Sequence, residues 1–273
     1  MLYYREFAPS PRFARLIECF WHHRTAERVP AFRILPDGCM DLLFEAHPNR
    51  MGAADLRVIG TMTRAHTTGF PARHLTFGVR FHPGMASRAL RLPPAAELLD
   101  AHLTFENVIG APAARRLRDQ LNDSPTPANF IATIESSLGN PLPSDPAGQA
   151  LAWLTQNHGQ VPIDELASAA SLSSRQFRRI CFQRTGLSPK HLARILRFRH
   201  AAQQAGRAPL ALLPLANATA PTQAREANRA PDWAQIALAC GYYDQSHLIN
   251  DFRSFAGVPP AHFASSKRVT AGL

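Results

Sequence analysis

The 273-residue chain reads as a two-domain α+β protein, a mostly β first half followed by an all-helical second half. Three observations predict this. Residues 1–110 hold several short apolar runs punctuated by Pro and Gly, the pattern of a small barrel or sandwich. Gly139 to Pro146 packs three prolines into eight residues, a linker signature that ends one unit and opens another. Between Ile163 and Phe263 one short pattern occurs twice, and it has the landmarks of a helix-turn-helix.

In the first half, Phe13 to Trp21 is compatible with a helix or a strand. Arg33-Ile34-Leu35 runs into the turn Pro36-Asp37-Gly38. Met40 to Glu45 and Leu56 to Ile59 are short apolar runs that fit buried strands. Leu75 to Phe81 alternates: Leu75, Phe77, Val79 and Phe81 share one face, and Thr76, Gly78 and Arg80 the other, so a half-buried strand is expected with Arg80 facing water. Asp37 and Asp41 are expected to cap or pair locally around the turn. His82-Pro83-Gly84 ends the strand, 84–100 is expected to be helical with Leu90, Leu98 and Leu99 inward, and further helices are expected at 112–122 and 126–138.

The second half is expected to open with a helix over 147–158 that braces the repeat. The first copy of the repeat runs Leu166-Ala167, Ser171-Leu172, Phe177, Gly186, Pro189; the second runs Ile236-Ala237, Gly241-Tyr242, Leu248, Gly257, Pro260. The early landmarks lie 70 residues apart and the later ones 71, so the second copy carries one extra residue in its turn. Each landmark has a physical reason. A small Ala lets two helices cross closely, and Gly241 suits a tight turn with positive φ. Phe177 and Leu248 face the core. Gly186 and Gly257 stop the second helix of each copy, and Pro189 and Pro260 suit the first turn of the next. Asp164 and Glu165 favour the start of the first helix, and Ser173 or Ser174 caps the second. Pro189 to Gly206 is expected to be a long basic helix joining the copies. Residues 207–231, with Pro209, Pro214, Pro221 and Pro231, read as an irregular insertion whose leucines dock on a neighbour or simply form a tolerated loop.

Charge is concentrated where the repeat lies. Of the formal net charge of +10, residues 147–273 contribute +8, from 14 basic and 6 acidic residues. Arg175, Arg178, Arg179, Arg184, Lys190, Arg194, Arg197 and Arg199 fall within 173–199 with no acidic residue among them, the electrostatic footprint of phosphate binding. Cys19, Cys39, Cys181 and Cys240 form no CxxC pair, so neither a zinc site nor a disulfide framework is expected, and Cys181 and Cys240 should pack as small hydrophobes. No positive-then-apolar leader opens the chain and no uncharged 18-residue apolar run occurs, so a cytoplasmic protein without a membrane partner is expected.

The repeat resembles the AraC/XylS family of bacterial transcription regulators. The resemblance rests on Ser173-Ser174-Arg175-Gln176-Phe177-Arg178-Arg179, Thr185-Gly186-Leu187-Ser188-Pro189-Lys190, Arg197-Phe198, Trp233-Ala234-Gln235-Ile236-Ala237 and Cys240-Gly241-Tyr242-Tyr243-Asp244-Gln245-Ser246-His247-Leu248, and covers about 147–263. The first half is similar to a cupin-like, sensor-type domain of unassigned function, on Leu35-Pro36-Asp37-Gly38-Cys39-Met40-Asp41-Leu42-Leu43-Phe44 and Gly78-Val79-Arg80-Phe81-His82-Pro83-Gly84. The implied architecture is a cupin-like domain over 1–146 for sensing or dimerisation, with trailing helices. It is followed by a DNA-binding domain over 147–273, with helix-turn-helix units at about 163–186 and 233–257.

The resemblance implies double-stranded DNA as partner, with one helix of each unit in successive major-groove segments about 34 Å apart. It carries base or backbone contacts onto Arg175, Arg178 and Arg179 in the first unit and onto Gln245, Ser246, His247 and Asn250 in the second, with Lys190 and Arg194 on phosphates. For any one arginine, a phosphate contact is the commoner class. RNA polymerase, a small-molecule effector and a second copy of the chain are partners the resemblance admits; no cofactor, catalytic residue or effector-binding residue is assigned. The chain departs from the family pattern at Asn250, where a basic residue is frequent, at Ser171, which replaces a turn glycine, and in the length of 207–231, which loosens the expected spacing of the two reading helices.

Two other classes compete with a regulator. A metal-dependent cupin-type enzyme would gather His and carboxylate ligands, but His22, His23, His47, His66, His74, His82 and His102 show no HxH pair followed by a nearby Glu. A DNA-alkylation sensor would need a clustered Cys set, which Cys19 and Cys39 do not supply. No metal is therefore expected.

Overall fold

The computed structural model describes residues 2–46, 54–122, 126–140, 143–205, 213–214 and 231–265. An antiparallel sheet makes up the first part and helices the second. The strands are β1 (Leu2–Phe7), β2 (Ile17–Thr25), β3 (Val29–Ile34), β4 (Met40–Ala46), β5 (Ala54–Ile59), β6 (His66–Phe70), β7 (Leu75–Phe81), β8 (His102–Thr104) and β9 (Leu213–Pro214). Six form one sheet in the order β1-β2-β7-β4-β5-β8, and β6-β3-β9 form a second; among the described residues no ladder joins the two. Phe13 to Trp21, open between helix and strand in the sequence, divides into a turn and the start of β2.

β7 has the bounds that its alternation predicts, but it is central, paired to β2 on one side and β4 on the other. Both of its faces are covered. Phe77, Val79 and Phe81 pack with Ile17, Phe20, Leu42 and Phe44 under the helices α3 (Ala111–Asn122) and α4 (Pro127–Leu138), which present Leu117, Leu121, Phe130 and Ile134. The other face looks toward the second sheet, where Tyr4, Trp21, Phe32 and Phe70 pack together. Gly78 is needed there, because a Cβ would lie 2.2 Å from the Trp21 indole.

That second layer corrects the expectation for Arg80, which is 6% exposed and not in water. Its Nε lies 3.1 Å from Asp37 Oδ2 and 3.3 Å from Asp41 Oδ1. Asp41 also accepts a hydrogen bond from Trp21 Nε1 at 3.0 Å. Burial pushes the Asp41 carboxyl up to about 6, against the pull of the facing guanidinium, while the carboxylates hold Arg80 charged. The expected helix over 84–100 is also corrected. α1 (Ala86–Ala89) is one turn, and after Pro93-Pro94 a 3-10 turn covers Ala95–Leu98; the paired prolines cannot donate to a continuous helix. Of its expected core residues, Leu98 is buried and Leu90 and Leu99 are half-buried.

After the short α2 (Phe105–Ile109) and the α3–α4 pair, Pro146 opens α5 (Pro146–Gln156), capped by Asp145, whose carboxylate accepts from Gly148 N. The helical part continues with α6 (Ile163–Ala169), α7 (Ser174–Thr185), α8 (Pro189–Gln204), α9 (Trp233–Ala239), α10 (Gln245–Ala256) and α11 (Pro260–Ser265). α8 is the spine: Leu192, Ile195, Leu196, Phe198 and Ala202 are buried in one core with Leu151, Phe177, Leu248 and Phe252. The reading of 207–231 as an insertion lies outside the described residues except for Leu213–Pro214, which pairs with β3, and Pro231.

The sheet part touches the helical part at several places. Leu35 belongs to the core of the helices. Gly38 has φ +85 and faces Leu192, whose methyl would stand 2.8 Å from a Cβ there. Glu18 on β2 pairs with Arg199 on α8, with an Arg199 Nη1 contact at 3.1 Å. Burial alone would raise the Glu18 carboxyl, but the guanidinium holds it down to about 2. Ala65 N donates to Phe255 O of α10 at 2.8 Å. Asp145 pairs with both Arg88 of α1 and, at 2.8 Å, Arg184 of α7.

Candidate nucleic-acid interface

Two helix-turn-helix units stand out in the helical part, α6–α7 and α9–α10, and their turns close with matching backbone bonds. In the first, Ser171 N donates to Ser168 O and Leu172 N to Ala167 O, both at 2.9 Å. In the second, Gly241 N donates to Leu238 O at 3.1 Å and Tyr242 N to Ala237 O at 2.9 Å. Both turns need positive φ: Gly241 sits at 73° and Ser171, without a glycine's freedom, at 52°. Ala167 and Ala237 are 1% exposed where the helices cross, and Phe177 and Leu248 are fully buried.

Caps fix where each second helix begins and ends. Ser173 Oγ accepts from Gln176 N at 3.2 Å and Gln176 Oε1 accepts from Ser173 N at 2.9 Å, a reciprocal capping box. In the second unit Asp244 alone caps, its carboxylate accepting from His247 N at 2.7 Å. Gly186 and Gly257 end the helices in the left-handed region at 73° and 71°. Cys181 and Cys240 are fully buried in the helical core, and burial pushes their thiols up to about 12 and about 11, as expected of small packing groups.

The outward faces are polar. On α7, Arg175, Arg178 and Arg179 are exposed at helical spacing i, i+3, i+4, one stripe. Among the described residues none of the three enters an ion pair. Lys190 is exposed in the first turn of α8. On α10, Gln245, Ser246, His247 and Asn250 are exposed. Arg253, three residues past Asn250 and also exposed, extends that stripe with a cation that the motif alone did not single out; its i, i+3 spacing was the available signal.

Half of the basic cluster is half-buried and engaged by partners within the protein. Arg194 donates through Nε at 3.1 Å and Nη2 at 2.6 Å to Asp251 Oδ1, tying α8 to α10. Asp251 is fully buried. Arg197 lies 5.8 Å over the Tyr242 ring and donates to Gly159 O at 3.4 Å. Arg199 and Arg184 hold Glu18 and Asp145. The outward-facing members are therefore Arg175, Arg178, Arg179 and Lys190. Among the described residues no three His, Cys, Asp or Glu side chains gather as a metal site would require, and no helix is long and apolar enough to cross a membrane.

Residues 5–104 match the model of a domain of unknown function, DUF6597. No curated protein matches the chain. Among solved structures, the chain is similar to the DNA-binding domain of the transcription factor AdpA in complex with a target DNA, at 23% identity and TM-score 0.35 over 45% of this chain and 92% of that one. It is also similar to ToxT of Vibrio cholerae bound to an unsaturated fatty acid, at 9% identity and TM-score 0.42 over 92% and 98%. A third likeness is to the transcriptional regulator CdpR of Pseudomonas aeruginosa, at 17% identity and TM-score 0.31 over 71% and 46%.

Proposed function

We propose that the chain is a sequence-specific DNA-binding transcription regulator of the AraC type. One observation carries this reading: two helix-turn-helix units close their turns with the same pair of backbone bonds, share one spine helix, and leave a polar, partly cationic stripe of the second helix of each unit exposed. A core bundle has no need of that arrangement, whereas a pair of major-groove readers requires it. In this reading 1–146 is the sensor or dimerisation part and 147–273 the DNA-binding part, working in the cytoplasm with a promoter or operator as partner.

Arg175, Arg178 and Arg179 contact bases or phosphates through α7, Gln245, Ser246, His247 and Asn250 read through α10, and Lys190 binds phosphate. Arg253 joins the second group. Arg194 serves DNA binding chiefly by holding α10 on α8, since its guanidinium is already engaged by Asp251.

The test is selection of genomic fragments by the purified full chain, followed by a gel-shift titration on the enriched site. Arg179→Ala is expected to weaken binding several-fold while leaving the fold intact by circular dichroism. Full affinity and unchanged specificity in that variant would remove Arg179 from the interface, and no enriched sequence from the wild type would sink the regulator reading.

A further inference from the structure

The length of 207–231 leaves the separation of the two helix-turn-helix units unset by the chain that joins them. The sheet part supplies a support instead. Two of its segments, 60–65 and 94–101, lie side by side as one ridge. Gly60 N donates to Ala101 O at 2.9 Å and Asp100 N to Thr61 O at 3.0 Å. The Asp100 carboxylate ties the ridge further, accepting from Thr63 N at 2.7 Å and from Thr63 Oγ1 at 2.6 Å. Asp100 does this at φ 54°, a conformation that costs energy for any residue with a Cβ. Gly60 is constrained too, because a Cβ there would stand 1.6 Å from Leu98 O.

The ridge meets the C-terminal ends of both α7 and α10. A Cβ on Gly186, the stop of α7, would lie 2.9 Å from Ala95 O and 3.0 Å from Leu99 Cδ1. Ala65 N donates to Phe255 O in the last turn of α10 at 2.8 Å. Ala65 and Leu99, both half-buried, pack on the core of the helical part. α8 shares that core with both helices and holds α10 through Arg194 and Asp251. A helix held along one side can still rock about the line of contact, and a second support at its end removes that freedom. We infer that the ridge sets the separation and tilt of α7 and α10, with Gly60 and Asp100 as its positioning residues, so that the spacing between two DNA segments becomes part of what the protein recognises. The spacing role rests on the regulator reading; the placement of the two helices does not.

Two measurements on the full chain test this. All four native cysteines are buried, so Gln183→Cys on α7 and Ser254→Cys on α10, both exposed positions, accept spin labels selectively. Pulsed electron resonance without DNA should give one narrow distance distribution. Asp100→Gly removes the tie and suits the positive φ, and it should shift or broaden that distribution by roughly 2 Å. Gly60→Ala, which wedges the two segments apart, should do so more strongly, and Asp100→Gly decides alone where that variant does not fold. Asp100→Asn keeps an acceptor for Thr63 N and should restore the parent distribution. A parent-like distribution in Asp100→Gly would overturn the ridge, whatever the protein does with DNA.

The second measurement is a gel shift on the selected site and on versions with one base pair inserted or deleted between its two contacted segments. One base pair turns the second segment by about 34° and moves it by about 3.4 Å. The parent should bind either altered site about tenfold or more weakly, whereas Asp100→Gly, weaker on the natural site, should lose less than about threefold on the altered ones. Arg178→Ala should weaken all three sites alike and keep the parent ratio. A parent ratio in Asp100→Gly, or a parent indifferent to spacing, would overturn the spacing role alone. Absence of any selected site would sink the regulator reading and leave the distance measurement to decide the ridge.

Discussion

The two helix-turn-helix units are the same device built with different means. The first has a serine at its strained turn, a reciprocal capping box, and an outward stripe of three arginines. The second has a glycine at the turn, a single aspartate cap, and a mostly neutral stripe that regains one cation at Arg253. Their attachment differs as well. The first is anchored to the sheet part by Arg184 on Asp145, and its Gly186 is packed so closely that a Cβ would stand 2.9 Å from Ala95 O. Gly257 faces open space, and the second unit is held to the spine by the buried Asp251 on Arg194. The place of Asp251 in the first unit is taken by Ile180, on a half-buried position. Matching backbone geometry thus constrains the turns and helix ends, while the anchoring and the outward charge are free to diverge.

The largest test of that asymmetry is Arg194→Ala. It leaves a buried carboxylate unpaired in the second unit alone and should cost roughly 2–3 kcal/mol, less than the roughly 3–5 kcal/mol of a fully buried broken pair because Arg194 stays partly exposed. Urea unfolding followed by Trp233 fluorescence would read it, and an unchanged midpoint would show that α10 is held by packing alone.

Acid provides a perturbation that should not discriminate between the units, since Glu18–Arg199 joins the sheet to the spine they share. The Glu18 carboxyl titrates at about 2 in the fold against an ordinary 4.5. Its contribution is therefore full above 4.5 and is lost as pH falls toward 2. The expected loss is on the order of 1 kcal/mol per pH unit within that window, and it should vanish in Glu18→Gln. The same acid slope in both proteins would remove Glu18 from the contact.

Exchanging the turn residues sharpens the comparison at smaller scale. Ser171→Gly should stabilise by up to about 1 kcal/mol and Gly241→Ser should destabilise by about as much, because only glycine takes positive φ without steric cost. Thermal denaturation of both variants checks the signs; two shifts of the same sign would show that side-chain contacts at the turn outweigh the backbone. The finest test is the salt slope of DNA binding. Asn250→Lys should steepen log K against log salt by about one unit, and Arg179→Ala should flatten it by about one if that residue meets a phosphate. No change for Asn250→Lys would place position 250 away from the backbone.

What the sequence made legible is what local chemistry decides. Helix stops at Gly186 and Gly257, a serine cap at 173 or 174 that falls on Ser173, the strand Leu75–Phe81 and the burial of Phe177 and Leu248 each follow from a residue's own backbone preference or from a short apolar period. What escaped depends on register and on contacts between distant segments. Arg80 alternates to the polar face of β7 in sequence, yet the ladder sets it opposite Asp41 under a second sheet, which no property of β7 itself announces. Arg194 and Arg199 looked like members of one basic face because their partners, Asp251 and Glu18, lie 57 and 181 residues away. The outward stripe of α7 was readable because a helix face is set by spacing alone. Its division from the internal arginines was not.

Gly38 has a consequence for anyone who treats the two parts as interchangeable cassettes. With the Leu192 methyl 2.8 Å from where a Cβ would be, and with Ala65 donating to Phe255, α8 and α10 are fitted to the surface relief of this particular sheet. A chimera that grafts residues 147–273 onto another N-terminal domain would bring side chains to a seam shaped for a hydrogen atom. Such a graft would work only if residue 38 and the loop ending at Ala65 travelled with it, so the swappable module is defined by its seam as much as by its linker.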